Sequence, residues 1–274
     1  MTPLSAPDWL IARPIAHRGL HDWDRGVIEN TLAAAEAAVA AGFAIECDVQ
    51  ISRDGEAFVF HDFTLDRLTD AKGALIETSA EAIRRAAFVG AGACAPVLPE
   101  GEGERIPTFA ELLARVAGRA PVVCELKSRF DRDFRLADRI AALAQAYDGP
   151  LALKSFDPDL MAYLRLKWPH LGPPGRPCPI GLVAEASYDG PEWEMLSSGQ
   201  KRAFATFEHY DRARPDFLSF NVDDLPHAVP FFVKQLHGAP VMAWTVRTER
   251  QREAARRWAD QIVFEGAERS VTPH

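Results

Sequence analysis

A basic excess is missing from this chain. Its 274 residues carry 31 Lys and Arg against 39 Asp and Glu, a net charge of -8. Nothing in that balance draws it to nucleic acid or to an anionic bilayer, although one anionic ligand in a locally basic pocket remains compatible with it. No run approaches the ~20 apolar residues of a membrane span, and residues 1–9 have neither a basic start nor a long apolar stretch, so no signal peptide is read there. The expectation is a soluble, cytoplasmic protein with no membrane span and no nucleic-acid partner. The cysteines are Cys47, Cys94, Cys124 and Cys178. They lack CxxC spacing, and nothing calls for a disulfide. Cys47 and Cys124 each sit in an apolar strand-like run beside a carboxylate and read as small buried hydrophobes. No Gly-rich loop of the Walker or Rossmann kind is present, and Ser155 has no GxSxG context.

What is there is a 47% hydrophobic chain, enough for a substantial core, in which short apolar runs alternate with longer Ala-, Leu- and Arg-rich ones. Strand-like runs are 14–18, 44–50, 57–61, 121–127, 150–155, 180–184, 217–221, 240–246 and 261–264. Helical runs are 31–41, 109–116 (after Thr108, a plausible N-cap), 134–147, 158–168 and 249–258. Such alternation argues for a parallel sheet covered by helices. Ser52-Arg53-Asp54-Gly55 is a turn signal between two strand-like runs and reads as a hairpin. With its second arm set aside, eight strand–helix units remain, which predicts an α/β fold, a (β/α)8 TIM barrel. The alternative, that 57–61 is itself a barrel strand, stays open. Residues 66–104 are the least regular, with one short helix near 80–87. The expectation is one barrel domain over 12–274 with a small insertion of about 64–105, after the second strand and its hairpin. Residues 171–179, with three prolines, form another irregular connection.

Charged residues lie inside these apolar strands, where they are costly unless paired. Glu46 and Asp48 are two apart and so share one face of their strand; Glu125 and Lys127 repeat the pattern. His17-Arg18 ends the first run, His61 ends the hairpin arm, and Lys154 and Trp244 lie near the ends of later strands. Barrel enzymes build their sites at the C-terminal ends of the strands, so these residues converge on one rim. Glu46, Asp48 and Glu125 are hard oxygen donors suited to Mg2+ or Ca2+ rather than Zn2+. His17 and His61 suit a general acid and base. Arg18 and Lys127 suit an anionic oxygen. Together they describe metal-assisted hydrolysis of a phosphate ester. Taken singly, most have a plainer reading: Lys127 or Arg18 as the partner of the acidic pair, Glu125 with Lys127 as a structural pair, Trp244 as core packing or a substrate wall; the role of Lys154 stays open. Glu29-Asn30-Thr31 caps a helix or reaches the rim through Asn30. His21, His170, His209, His227, His237 and His274 read as surface or loop residues.

The motifs His17-Arg18-Gly19, Glu29-Asn30-Thr31, Glu46-x-Asp48, His61-Asp62, Leu65-Asp66-Arg67 and Glu125-Leu126-Lys127, with Ser155-Phe156-Asp157-Pro158 and Trp244-Thr245-Val246, resemble the glycerophosphodiester phosphodiesterase family over about 13–247. The resemblance implies a TIM-barrel phosphodiesterase with one divalent cation, Mg2+ or Ca2+, on Glu46, Asp48 and Glu125. It implies His17 and His61 as the acid/base pair, with Arg18 and Lys127 at the phosphate of a small-molecule glycerophosphodiester substrate. Glycerol 3-phosphate and an alcohol would be released, a glycerol hydroxyl first attacking phosphorus and water then opening the cyclic phosphate. Ile28, Arg247 and the 262–266 ending depart from the family pattern, which bears on the mouth of the site and the leaving alcohol. Two other functions fit the same residues. One is a phospholipase D-like hydrolase of lysophospholipids, with Phe88, Val89, Val97 and Leu98 lining an apolar channel. The other is a non-catalytic phosphodiester-binding barrel.

Overall fold

The computed structural model describes residues 6–89 and 104–266. Nine strands form one sheet: β1 (Ile15–Ala16), β2 (Ala44–Ile51), β3 (Ala57–Val59), β4 (Val122–Leu126), β5 (Leu151–Ser155), β6 (Ile180–Ala184), β7 (Phe217–Asn221), β8 (Val241–Val246) and β9 (Gln261–Phe264). Eight are parallel in the order β1-β2-β4-β5-β6-β7-β8-β9, and β9 returns to β1, with Ala16 opposite Phe264, to close the barrel. The ninth, β3, pairs antiparallel with the end of β2, Val49 against Val59. Residues 57–59 are therefore a hairpin arm and not a barrel stave.

Side-chain alternation stacks the interior in layers. The floor is a buried cluster of Ile15, Ala44, Val123, Ala152, Phe217, Met242 and Val263, one from each of seven strands, closed by Leu10. The remaining strand supplies Gly181 there. A Cβ on Gly181 would lie 2.4 Å from the Phe217 ring, so glycine makes room for that large side chain. Two residues further along each strand, the next inward layer is His17, Glu46, Glu125, Lys154, Val183, Ser219, Trp244 and Glu265. Polarity thus switches on within a single step up the barrel.

Outward residues such as Ile45, Cys47, Val49 and Cys124 join a second, larger core with the covering helices. These are α1 (Leu32–Ala41), α3 (Phe109–Val116), α4 (Arg135–Ala146), α5 (Pro158–Lys167), α6 (Ser198–Ala205), α7 (Tyr210–Ala213), α8 (Ala228–His237) and α9 (Glu249–Trp258). α3 begins in a capping box between Thr108 and Glu111 and buries Phe109, Leu112, Leu113 and Val116, about 1.5–3 kcal/mol for each large apolar side chain. α1 starts where Thr31 accepts from the Ala34 amide. Between β3 and α3 the chain forms a separate apolar cluster of Phe58, Phe60, Leu65, Leu68, Leu75, Ile83, Ala86 and Ile106, into which the short α2 (Ala80–Arg85) places Ile83. Phe88 packs against that cluster and Val89 is exposed. Val97, Leu98 and Cys94 lie outside the described residues. Cys47, Cys124 and Cys178 are free and buried.

Candidate active site

The C-terminal mouth collects the charged residues. Glu46, Asp48 and Glu125 are 0%, 1% and 6% exposed. Each offers one carboxylate oxygen, and these atoms lie within 4.8 Å of one another. The strands place them so: Asp48 and Glu125 are paired residues of β2 and β4, and Glu46 stands one inward step below Asp48. Three like charges this close need cations. Lys154, 2% exposed, lies 3.0 Å from Glu46 Oε1 and 3.3 Å from Glu125 Oε2. Lys127 Nζ lies 3.2 Å from Glu125 Oε1 and 3.7 Å from Asp48 Oδ1. Arg18 donates its backbone N–H to Glu46 Oε2 at 3.1 Å, and its Nε is 3.6 Å from Asp48 Oδ2. Burial pushes the Asp48 carboxyl up, but His61, Lys127 and Arg18 outweigh it and hold Asp48 well below its usual range. Burial likewise raises Glu125, and Lys127 and Lys154 bring it below the ordinary value. Burial works to strip the proton from Lys127 and Lys154, yet the facing carboxylates raise both.

Local backbone explains the approach of Arg18. Arg18 has φ +57° and Gly19 φ +75°, a left-handed turn directly after β1. A Cβ on Gly19 would fall 2.8 Å from the backbone carbon of Ala34, so glycine lets the turn sit against α1. The Arg18 guanidinium then donates to Glu29 Oε1 at 2.8 Å, and Arg67 donates to the same oxygen at 2.7 Å. Burial raises the Glu29 carboxyl, and the two arginines carry it below its ordinary value. Asn30 closes a two-way bond with Asp48, its amide donating to Oδ2 at 2.9 Å and its carbonyl accepting the Asp48 N–H at 3.1 Å. Thr31 caps α1, so both readings of Glu29-Asn30-Thr31 hold.

Each histidine at the mouth is braced by a carboxylate. His61 Nδ1 donates to Asp62 Oδ1 at 2.8 Å, and Asp62 is also held by Arg67, whose NH2 donates to Oδ1 at 3.0 Å. The hairpin arm delivers His61 to this level: the Phe60 N–H donates to the Asp48 carbonyl at 2.9 Å, and the Gln50 amide donates to the His61 carbonyl at 3.2 Å. His17 Nδ1 donates to Glu265 Oε1, which leaves Nε2 3.9 Å from Glu46 Oε2. Burial raises the Glu265 carboxyl, but His17, His21 and Arg247 hold it far below its usual range. Trp244 packs edge-on against Phe156, centroids 5.5 Å apart, and donates its indole N–H to the Ser219 carbonyl at 3.0 Å.

The structure gathers His17, Arg18, Glu46, Asp48, His61, Glu125, Lys127 and Trp244 around one mouth. Lys154, whose role the sequence leaves open, is the ion-pair partner of two site carboxylates. Two of the histidines read as surface or loop residues do lie in connections between elements, but they are engaged there. His21 reaches Glu265 at 3.9 Å, and His209 packs against Phe204 and Phe207, where burial lowers its pKa to about 4. Glu265, Asp62 and Arg67 are contacts that sequence reasoning gave no role. A carboxylate directly following a strand's last residue, as Glu265 follows Phe264, was the available signal.

Three carboxylates offer oxygen donors only, which suits a hard divalent ion. With braced histidines and cations beside them, a hydrolase acting on an anionic ester is the class this mouth defines. The family model for the glycerophosphoryl diester phosphodiesterase family matches residues 17–266. The chain belongs to that family and is a phosphoric diester hydrolase. Among its relatives, the glycerophosphodiester phosphodiesterase of Caldanaerobacter subterraneus subsp. tengcongensis is 28% identical over 93% of this chain and 94% of its own length. Glycerophosphodiester phosphodiesterase 1 of Bos taurus is 38% identical over 102 residues, 36% of this chain and 29% of that protein. The fold is shared with an Oleispira antarctica phosphodiesterase solved with the product sn-glycerol-3-phosphate (TM-score 0.69, 21% identity, 92% of this chain and 91% of that one).

Proposed function

We propose that this barrel, as one domain over 12–274, hydrolyses glycerophosphodiesters to glycerol 3-phosphate and an alcohol, with one divalent ion, Mg2+ or Ca2+, on Glu46, Asp48 and Glu125. The observation that carries this reading is the buried carboxylate triad with His17 and His61 braced on either side of it. When bound, the ion supplies charge stabilisation at the phosphoryl oxygens. Arg18 and Lys127 bind the phosphodiester anion and take up charge as it grows in the transition state. Their own carboxylate contacts keep them oriented before substrate arrives. One histidine accepts the proton of the attacking glycerol hydroxyl while the other gives a proton to the departing alkoxide. The exchange of roles then lets water open the cyclic phosphate. Glu265 and Asp62 fix the Nδ1 side of each ring, so that Nε2 is the atom presented to substrate. Trp244 and Phe156 wall the glycerol end and exclude water there. The sequences of the full-length relatives support the substrate class, and the product named for the Oleispira protein is consistent with it.

A substrate panel tests the reading. Purified protein with Mg2+ or Ca2+ should release glycerol 3-phosphate from glycerophosphocholine and glycerophosphoethanolamine, measured by a coupled dehydrogenase assay. Release of choline phosphate in place of glycerol 3-phosphate, or turnover of lysophosphatidylcholine alone, would overturn the substrate assignment.

A further inference from the structure

The three site cations are not equivalent. Lys127 and Arg18 are partly exposed at the mouth, with side chains 14% and 17% accessible. Lys154 is 2% exposed and sits on the same inward layer as Glu46 and Glu125, directly above the apolar floor residue Ala152. It bridges Glu46 Oε1 and Glu125 Oε2, leaving the second oxygen of each to other partners. An ammonium enclosed in this way has no solvent to move into and would lose both ion pairs by leaving. An ion arriving from the mouth therefore competes with Lys127 and not with Lys154.

Charge then follows by addition. Three carboxylates contribute -3 and the enclosed lysine +1, so once Lys127 and Arg18 turn from Glu125 and Asp48 toward the phosphodiester, the pocket left to the ion carries -2, the complement of a divalent ion. Arg18 and Lys127 are left over for the phosphodiester. We propose that Lys154 is a resident cation beneath the metal site, a positioning residue that holds Glu46 and Glu125 at ligand spacing and restricts the site to divalent ions. The inference rests on the metal reading above but concerns a residue that reading does not use.

Ion binding by calorimetry, with Ca2+ and Tb3+ as probes of similar size and different charge, tests it without reference to turnover. The parent should bind Ca2+ and prefer Tb3+ by less than about tenfold. Lys154→Met exposes the full -3 and should raise the Tb3+ to Ca2+ affinity ratio at least about tenfold, because each added unit of charge counts for more in a buried site. Its metal-free form should also melt earlier than the parent and recover on adding Tb3+, while Lys154→Arg should keep the parent ratio. A parent that already binds Tb3+ a thousandfold tighter than Ca2+ would overturn the proposal even if Lys154→Met fails to fold, and so would an unchanged ratio in a folded Lys154→Met. A parent that binds neither ion would remove the metal reading itself.

Discussion

Glu265→Gln keeps the shape of the side chain that braces His17 and has an outcome that turns on its orientation. In the parent, the Glu265 carboxylate accepts from His17 Nδ1 and from Arg247 Nε at 2.7 Å. A glutamine fits the space but can turn its N–H2 toward His17, which then holds the proton on Nε2, the wrong atom for a base. Full loss of a general acid or base costs about 10²–10⁴-fold, and that sets the ceiling, which His17→Ala should approach. Glu265→Gln leaves the imidazole in place and should fall short of it, at about 10–100-fold in kcat, or about 1.4–2.7 kcal/mol. KM should change by less than about threefold, since no proposed phosphate contact is touched. The decisive readout is the double variant. If Glu265 acts only through His17, adding Glu265→Gln to His17→Ala should cost nothing further. Full additivity in steady-state glycerol 3-phosphate release, or parent kcat in Glu265→Gln alone, would refute the positioning role.

Other expectations follow from the same geometry. Glu29, Asp48, Asp62, Glu125 and Glu265 all titrate lower in the folded protein than unfolded, so their stabilisation is complete above the unfolded carboxylate pKa of about 4 and is lost as pH falls below it. Asp157, Glu185 and Asp216, raised by burial, act in the opposite sense but are fewer, so the thermal midpoint should drop between pH 5 and pH 3; a midpoint that rises on acidification would contradict the balance. Gly19→Ala forces a Cβ into the Ala34 backbone at a left-handed φ and should cost at least about 1–3 kcal/mol, read from the urea midpoint. Phe109→Ala, emptying the buried face of α3, should cost about 3–5 kcal/mol in the same assay while leaving a folded protein's KM unchanged.

The strands were readable because buried parallel strands are continuous apolar runs: 44–50 and 180–184 reappear almost unchanged as β2 and β6. The turn at 52–55 marked a hairpin, but only the pairing of Val49 with Val59 decides that its second arm is not a stave. α8 was missed because Pro230 and the exposed Phe231 and Phe232 hide a helical period, although a proline is tolerated in the first turn. α6, opening Ser-Gly, has too few apolar positions to register. At the site, alternation alone placed Glu46 with Asp48 and Glu125 with Lys127. Glu265 has no charged neighbour two residues away, and its position just past the last strand names no partner. It lies 248 residues from His17, and only closure of β9 on β1 brings the two together. His21 was unreadable for the same reason, since its partner is again Glu265.

The triad as a metal centre is tested most directly by glycerol 3-phosphate release after chelation. Parent protein stripped with a chelator should lose activity on glycerophosphocholine and regain it with Mg2+ or Ca2+, while Glu46→Gln and Asp48→Asn stay inactive at ion concentrations that saturate the parent. Chelator-indifferent turnover by the parent, or full activity in either carboxamide variant, would contradict it.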